Sequence, residues 1–284
     1  MGLFDKIKKP IFLKEDSDAQ KQLAAPNELK GSLTGDAAKK LEAEIKNVEY
    51  GILGEKSIKY ELENSHIPML VLHDIYLEHN GLKAQIDYMI FTRKHYYVVE
   101  CKNLYGNIEI NSNGDFIRIS GSGKHTVKEG IYSPITQNKR HLELIKEIRS
   151  NDKNTFITKS LFEKSFYENY IPIVVIANPK TVLYDKYAKK EVRSKVIRCD
   201  RLSEYIRRLD AAESLSFSEK NMIETANFFL NISKENPMDY AEKYRCSADN
   251  QASKPPDETA LKAENDTEKE NRETEIICPK CGAP

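Results

Sequence analysis

Three runs rich in Ile, Val, Tyr and Phe, at residues 69–76, 84–91 and 96–102, follow one another with only turn-like clusters such as His79-Asn80-Gly81 between them. Residues of this kind at this spacing read as consecutive β-strands. If Thr92, Arg93, Lys94 and His95 form the loop between the second and third runs, Phe91 faces Tyr96, Met89 faces Val98 and Asp87 faces Glu100. Side chains alternate along a strand, so Lys102 leaves from the same face as Glu100. Two acids and an amine are thereby set into strands that are otherwise apolar.

Like charges directly opposite one another destabilise a sheet. At an effective dielectric of ~20, two charges ~4 Å apart repel by about 4 kcal/mol. Lys102 or a protonated carboxyl could offset this. A hard divalent cation does it best, and Mg²⁺ (or Mn²⁺) takes one or two carboxylates together with waters and substrate phosphate. A carboxylate-held cation with an ammonium beside it is the equipment of phosphodiester hydrolysis. The Glu-x-Lys spacing alone says little, since Glu28/Lys30 and Glu44/Lys46 repeat it in polar surroundings. The apolar strand and the opposed aspartate set Glu100 apart, because buried charges are rarely kept without a partner or a metal. Cys101 should face the other side of its strand, into the core.

The flanking segments fill out a mixed α/β domain. Residues 37–64 carry a helical pattern in which Glu55 shares a face with Gly51, Ile58 and Leu62, pointing with the apolar stripe; a carboxylate there could reach the same metal. A weaker hairpin is expected at residues 107–110 and 116–119. Ser133-Pro134 reads as a cap and first turn of a helix whose Gln137, His141, Leu144 and Ile148 share a face. Gln137 could hold a water or a phosphate oxygen there, or serve as a plain cap or surface hydrogen-bonding residue. The apolar run 171–177 reads as a strand buried on both faces. A short strand at 196–199 and helices at 202–209 and 218–232 follow. The division expected is a polar leader at 1–36, the α/β domain with its C-terminal helices at 37–235, a disordered linker at 236–277 and a Cys-x-x-Cys tail at 278–284.

Charge is balanced overall, 44 Lys and Arg against 44 Asp and Glu, but not locally. Residues 186–208 hold nine basic side chains against three acidic ones, which makes Lys189, Lys190, Arg193 and Lys195 candidates for contact with a nucleic-acid backbone; a solvated helix and loop face is the alternative. No stretch approaches the roughly 20 apolar residues of a membrane helix, and the amino terminus has no apolar signal region. A cytoplasmic protein is the expectation. Five cysteines, two of them as Cys278 and Cys281, argue for reduced thiols or a metal rather than a disulfide framework. Six scattered histidines show no ligand spacing.

Glu49-Tyr50-Gly51-Ile52-Leu53-Gly54-Glu55, then Gln85-Ile86-Asp87, then Val99-Glu100-Cys101-Lys102-Asn103 with Gly106, and Pro134-Ile135 with Gln137 together resemble the nuclease-related domain, NERD. That family is placed in the PD-(D/E)xK restriction-endonuclease-like group, whose core order is α-β-β-β-α-β. The resemblance covers about residues 45–150. It implies Asp87 and Glu100 as metal ligands, Lys102 as the residue that orients or activates the attacking water, Glu55 as a helix-borne acid and Gln137 as an auxiliary polar residue. It implies a nuclease that needs Mg²⁺ or Mn²⁺, with DNA the favoured polymer. A nucleic-acid-binding module without catalysis, and a structural or regulatory protein docking through its lysine-rich leader, are the alternatives. Ile86 stands in place of the group's proline, and His95 where glycine is common. The tail pair Cys278 and Cys281 looks like half of a topoisomerase-type zinc ribbon; a structural Zn²⁺ site takes four ligands, so a truncated ribbon is expected.

Overall fold

The structure, a computed structural model, describes residues 6–245. The expected linker and the Cys278/Cys281 tail therefore lie outside the described residues, apart from 236–245. The described residues form two compact units: residues 49–236 with 6–18, and Ala19–Val48 with 237–245. Elements in chain order are β1 (Pro10–Lys14), α1 (Asp18–Gln22), α2 (Ala24–Glu28), α3 (Gly35–Glu63), β2 (Met69–His79), β3 (Leu82–Phe91), β4 (Tyr96–Lys102), β5 (Asn107–Ile110), β6 (Phe116–Ser120) and β7 (Val127–Ile131). They continue with α4 (Pro134–Asn151), α5 (Phe156–Asn169), β8 (Tyr170–Ile176), β9 (Leu183–Tyr184), α6 (Lys190–Arg193), β10 (Val196–Arg198), α7 (Leu202–Ala212) and α8 (Glu219–Ile232).

The larger unit is built on a six-stranded mixed sheet of order β1-β2-β3-β4-β8-β10. β2, β3 and β4 run antiparallel in sequence, and β8 and β10 add to β4 in parallel. The succession α3, β2, β3, β4, α4, β8 is the α-β-β-β-α-β order, so the fold is the mixed α/β class expected from a restriction-endonuclease-like core. One face of the sheet packs α4, α5 and α8, through Leu142, Ile145, Phe166 and Phe229 against Met89, Phe91 and Val98. The other packs α3 and α7, through Ile58, Leu62, Leu202 and Ile206 against Tyr97, Val99 and Cys101. Both faces are covered, which is why the strands read as nearly unbroken apolar runs rather than as alternating ones. A second sheet, β7-β6-β5-β9, closes over Val174, Ile176 and Val196 with Ile108, Ile110 and Phe116. The smaller unit has its own apolar cluster of Leu33, Leu41, Ile45 and Tyr244. Among the described residues no helix is long and apolar enough to cross a membrane.

The expected leader contributes an edge strand. β1 pairs in parallel with β2, Pro10 opposite Met69 and Phe12 opposite Val71. Its Ile11-Phe12-Leu13 run is too short to stand out among lysines, and Pro10 sits at the first residue of an edge strand, a position that tolerates a missing donor. In the second sheet the hairpin of β5 and β6 forms as expected, while β7 and β9 are additions; every residue of β7 is exposed or half-buried, so its sequence carries no apolar alternation to read.

Candidate active site

The β3–β4 hairpin forms in the expected register. The Thr92 N–H donates to the His95 carbonyl at 3.0 Å to close the turn, and Phe91, Ile90, Met89 and Tyr88 stand opposite Tyr96, Tyr97, Val98 and Val99. The ladder stops there, one pair short of Asp87 and Glu100. The cause lies on the other side of β3. On β2, Leu70 and Leu72 face the α4 side, Val71 the α3 side, but Ile75 and Leu77 face the α4 side again; on β3, Ile86 and Met89 share the α4 side with Tyr88 on the other. Both strands therefore switch face at Asp74 and Asp87, the one pair missing from their otherwise continuous register. Asp74 takes a left-handed φ of 53° there. Its carboxylate is held by the Ser17 hydroxyl at 2.8 Å, the Asp18 N–H at 2.7 Å and the Gln85 amide at 2.7 Å. Burial alone would raise its pKa, but these donors outweigh it and hold the carboxyl below its ordinary value.

This break redirects Asp87. Its carboxylate accepts the main-chain N–H of Cys101 at 2.6 Å, so it reaches across to the peptide between Glu100 and Cys101. Two carboxylates directly opposed across a ladder, the expected arrangement, do not form. A side chain takes the hydrogen bond that the interrupted ladder leaves open, and the acid is fixed by a main-chain donor.

Glu100 and Lys102 leave β4 on the α4 face, and Glu100 is fully buried. Its Oε1 accepts from Lys102 Nζ at 2.7 Å. The same ammonium donates to Gln137 Oε1 at 3.0 Å, and His141, one turn further along α4, brings Nδ1 to 3.7 Å from Glu100 Oε2. The first turn of α4 is anchored for this purpose. Ser133 caps it by accepting the Thr136 N–H, and the Asn138 side-chain amide donates to the carbonyls of Val98 at 2.9 Å and Ile173 at 3.0 Å, riveting the helix to β4 and β8 beside Pro172, which has no N–H to give. Among the buried polar atoms here, Glu100 Oε2 and Gln137 Nε2 make no hydrogen bond to any described residue. An ammonium has three N–H donors, so one donor of Lys102 also remains for a ligand.

Glu55 is placed elsewhere. It lies on the α3 side of the sheet, where its Oε2 is 2.9 Å from His73 Nε2, while His73 Nδ1 is 2.9 Å from the Glu15 carbonyl. Both ring nitrogens thus face oxygen acceptors, which the doubly protonated ring satisfies. Burial works against that charge, but the Glu55 hydrogen bond and charge, the Glu15 carbonyl and Asp74 outweigh it and raise the His73 pKa. Tyr88 stacks on His73 with ring centroids 4.5 Å apart and donates to the Glu55 carbonyl at 2.9 Å. Glu100, Lys102 and Gln137 are brought together, Asp87 adjoins them through the Cys101 amide, and Glu55 belongs to a separate ion pair. Cys101 is buried against the α3 face, as its place in the strand requires.

His73 and His141 are the residues that sequence reasoning missed. Spacing offered no ligand pattern, yet each meets a glutamate; the signal for His141 was its position four residues after Gln137 on one helical face. Among the described residues no group of three or more His, Cys, Asp or Glu is placed to hold a metal ion. The donor set that could take one is Asp87 with Glu100, two hard-oxygen ligands of the kind Mg²⁺ uses, and Glu100 Oε2, buried without a hydrogen bond, fits that role.

The basic stretch folds as β9, α6, β10 and the start of α7 around a cavity of about 940 Å³. Lys190 and Arg193 line it, Lys189 is exposed and Lys195 half-buried beside it, and Arg198, Arg201 and Arg208 join from β10 and α7.

No curated protein and no solved structure matches the chain. Residues 50–177, the segment that runs from the second half of α3 to the end of β8 and contains Glu55, Asp87, Glu100, Lys102 and Gln137, match the family model of the nuclease-related domain, NERD.

Proposed function

We propose that this protein is a cytoplasmic nuclease that hydrolyses phosphodiester bonds, with DNA favoured, and that Asp87 and Glu100 hold the Mg²⁺ or Mn²⁺ it requires. The observation that carries this reading is the buried Glu100 carboxylate, held by Lys102 at 2.7 Å with no hydrogen bond to its second oxygen, at the end of β4 beside Asp87. A divalent ion there would supply Lewis-acid stabilisation of the charge on the phosphoryl oxygens. Lys102 presents its third N–H to the attacking water or to a phosphoryl oxygen, where an oriented cation stabilises charge as it develops. Gln137 holds Lys102 through Oε1 and offers its NH₂ group, unpartnered at present, to the same oxygens. The Cys101 N–H fixes the Asp87 carboxylate, so the acid need not reorganise when a ligand arrives. Lys189, Lys190, Arg193 and Lys195 are proposed contacts to the phosphate backbone.

The test is cleavage of plasmid and single-stranded substrates with Mg²⁺ or Mn²⁺. Product should form, and Asp87→Asn and Lys102→Ala should each slow it by about 100-fold or more. Unchanged rates in both variants would remove the assignment. One observation favours a second reading, a nucleic-acid-binding module without catalysis: the third acid, Glu55, is taken by His73 rather than turned toward Glu100. That reading expects binding that survives both substitutions and no product with either metal.

A further inference from the structure

The groove between β9, α6, β10 and α7 lies outside the segment 50–177 that matches the nuclease-related domain. Five cations line it, Lys190, Arg193, Arg198, Arg201 and Arg208, against the two acids Asp185 and Glu204. Arg193 is 3.4 Å from Asp185, and Arg198 is fixed by Asp200 at 3.2 Å and by the carbonyl of Thr181 at 2.8 Å. Lys190, Arg201 and Arg208 have no ion-pair partner among the described residues, although Arg208 lies over the Tyr205 ring at 5.4 Å. Like charges gathered in one concavity repel one another and focus a field that attracts a polyanion.

A second cavity, of about 460 Å³, adjoins this groove and shares Arg198 with it. Its walls are Leu53, Lys56 and Tyr60 of α3 and Ala177, Pro179 and Cys199 at the ends of β8 and β10. Tyr60, which lines this cavity, is 65% exposed. A cationic groove beside an uncovered aromatic ring is suited to an unpaired strand, whose phosphates follow the charge while a base stacks on the ring. The groove and the candidate active site are carried by neighbouring strands of one sheet. Lys102, Ile176 and Arg198 stand level across the neighbouring parallel strands β4, β8 and β10. At the usual strand spacing this puts Arg198 about 10 Å from Lys102 along the sheet.

We infer that this groove and the adjoining tyrosine-rimmed cavity form the binding track of a single nucleic-acid strand, with Lys190, Arg201 and Arg208 on its phosphates and Tyr60 stacked on a base. The inference rests on the nucleic-acid reading of the domain and adds which form of the polymer it takes and by which face. An acidic polypeptide would use the cations but not the ring.

The test is fluorescence anisotropy of the full chain in EDTA, so that no cleavage intervenes, with a labelled oligothymidine of about 20 nucleotides, a duplex of equal length and polyglutamate. The single strand should bind best. Arg201→Ala with Arg208→Ala should reduce the slope of log affinity against log salt by about 1.4, and Lys190→Ala, on a different element, by about 0.7. Tyr60→Ala should weaken the single strand about tenfold and leave the duplex within a factor of two. Unchanged salt slopes in both cation variants, equal binding of duplex and single strand with no effect of Tyr60→Ala, or polyglutamate binding as tightly as the strand would each overturn the inference. Salt-linked binding through Arg201 and Arg208 without any cleavage would defeat the nuclease reading alone. Cleavage that persists with unaltered binding in the groove variants would defeat the track alone.

Discussion

His73 shows how a single residue acquires chemistry that its sequence neighbours do not announce. The ring is buried between Glu55 and the Glu15 carbonyl, and its raised pKa makes protonation part of the folded state. Because the folded pKa lies above the ordinary value of 6.5, the contribution is fully present below pH 6.5 and fades as pH rises through the raised value. Chemical denaturation of the parent and His73→Gln across pH 5.5–9 should therefore show a stability gap that is widest at the acid end and narrows toward the alkaline end. A gap that is constant with pH would mean that folding leaves the proton affinity of the ring unchanged. Glu100 and Lys102 follow the complementary logic. Removing a lone partner from a buried pair leaves a charge without compensation, so either single substitution at that pair is more disruptive than its removal as a unit.

At the level of elements, the approach of α3 to the ends of β4 and β8 depends on Gly54. A Cβ at that position would stand 2.6 Å from the Asn103 Cβ, 3.0 Å from the Cys101 Sγ and 3.3 Å from the Ala177 Cβ. Three residues earlier on the same helix, Gly51 has nothing within 4 Å. The two glycines should respond in opposite directions. Gly51→Ala should stabilise by about 1 kcal/mol through helix propensity, whereas Gly54→Ala should cost about 1–3 kcal/mol by overpacking. Urea unfolding of the two variants checks the pair, and equal stabilisation by both would show that the helix can shift off the sheet. The face switch in β2 and β3 is likewise a property of paired elements. Neither strand could change side alone without breaking the pairing of His73 with Tyr88 and Ile75 with Ile86.

For the whole molecule, the consequence is a carboxylate pair presented from a sheet covered on both faces. If Asp87 and Glu100 bind Mg²⁺ in the native state, mass action raises the stability of the fold. At a concentration about 100 times Kd the gain is about 2.7 kcal/mol, and a chain of this size shifts its Tm by roughly 2–4 °C per kcal/mol. Thermal scans with and without Mg²⁺ should show that rise in the parent and lose it in Asp87→Asn. A Tm indifferent to the ion in both would remove the metal from the site while leaving the groove untouched.

Local pattern determined much of this protein. The strands from Met69 to Lys102, the tight turn at Thr92 to His95, the Ser133 cap and the hairpin register down to Tyr88 opposite Val99 all follow from residue alternation and turn chemistry, which act over a few residues. The segment that matches the nuclease-related family model was legible too, because its acids and lysine interrupt apolar strands. Tertiary structure alone decided the rest. It turned Asp87 onto the Cys101 amide, gave Glu55 to His73, laid His141 against Glu100 and gathered Arg198, Arg201 and Arg208 with Lys190 into one groove. Each of these joins residues from different elements, and their partners are set by which faces of packed elements meet, a quantity that no local period encodes.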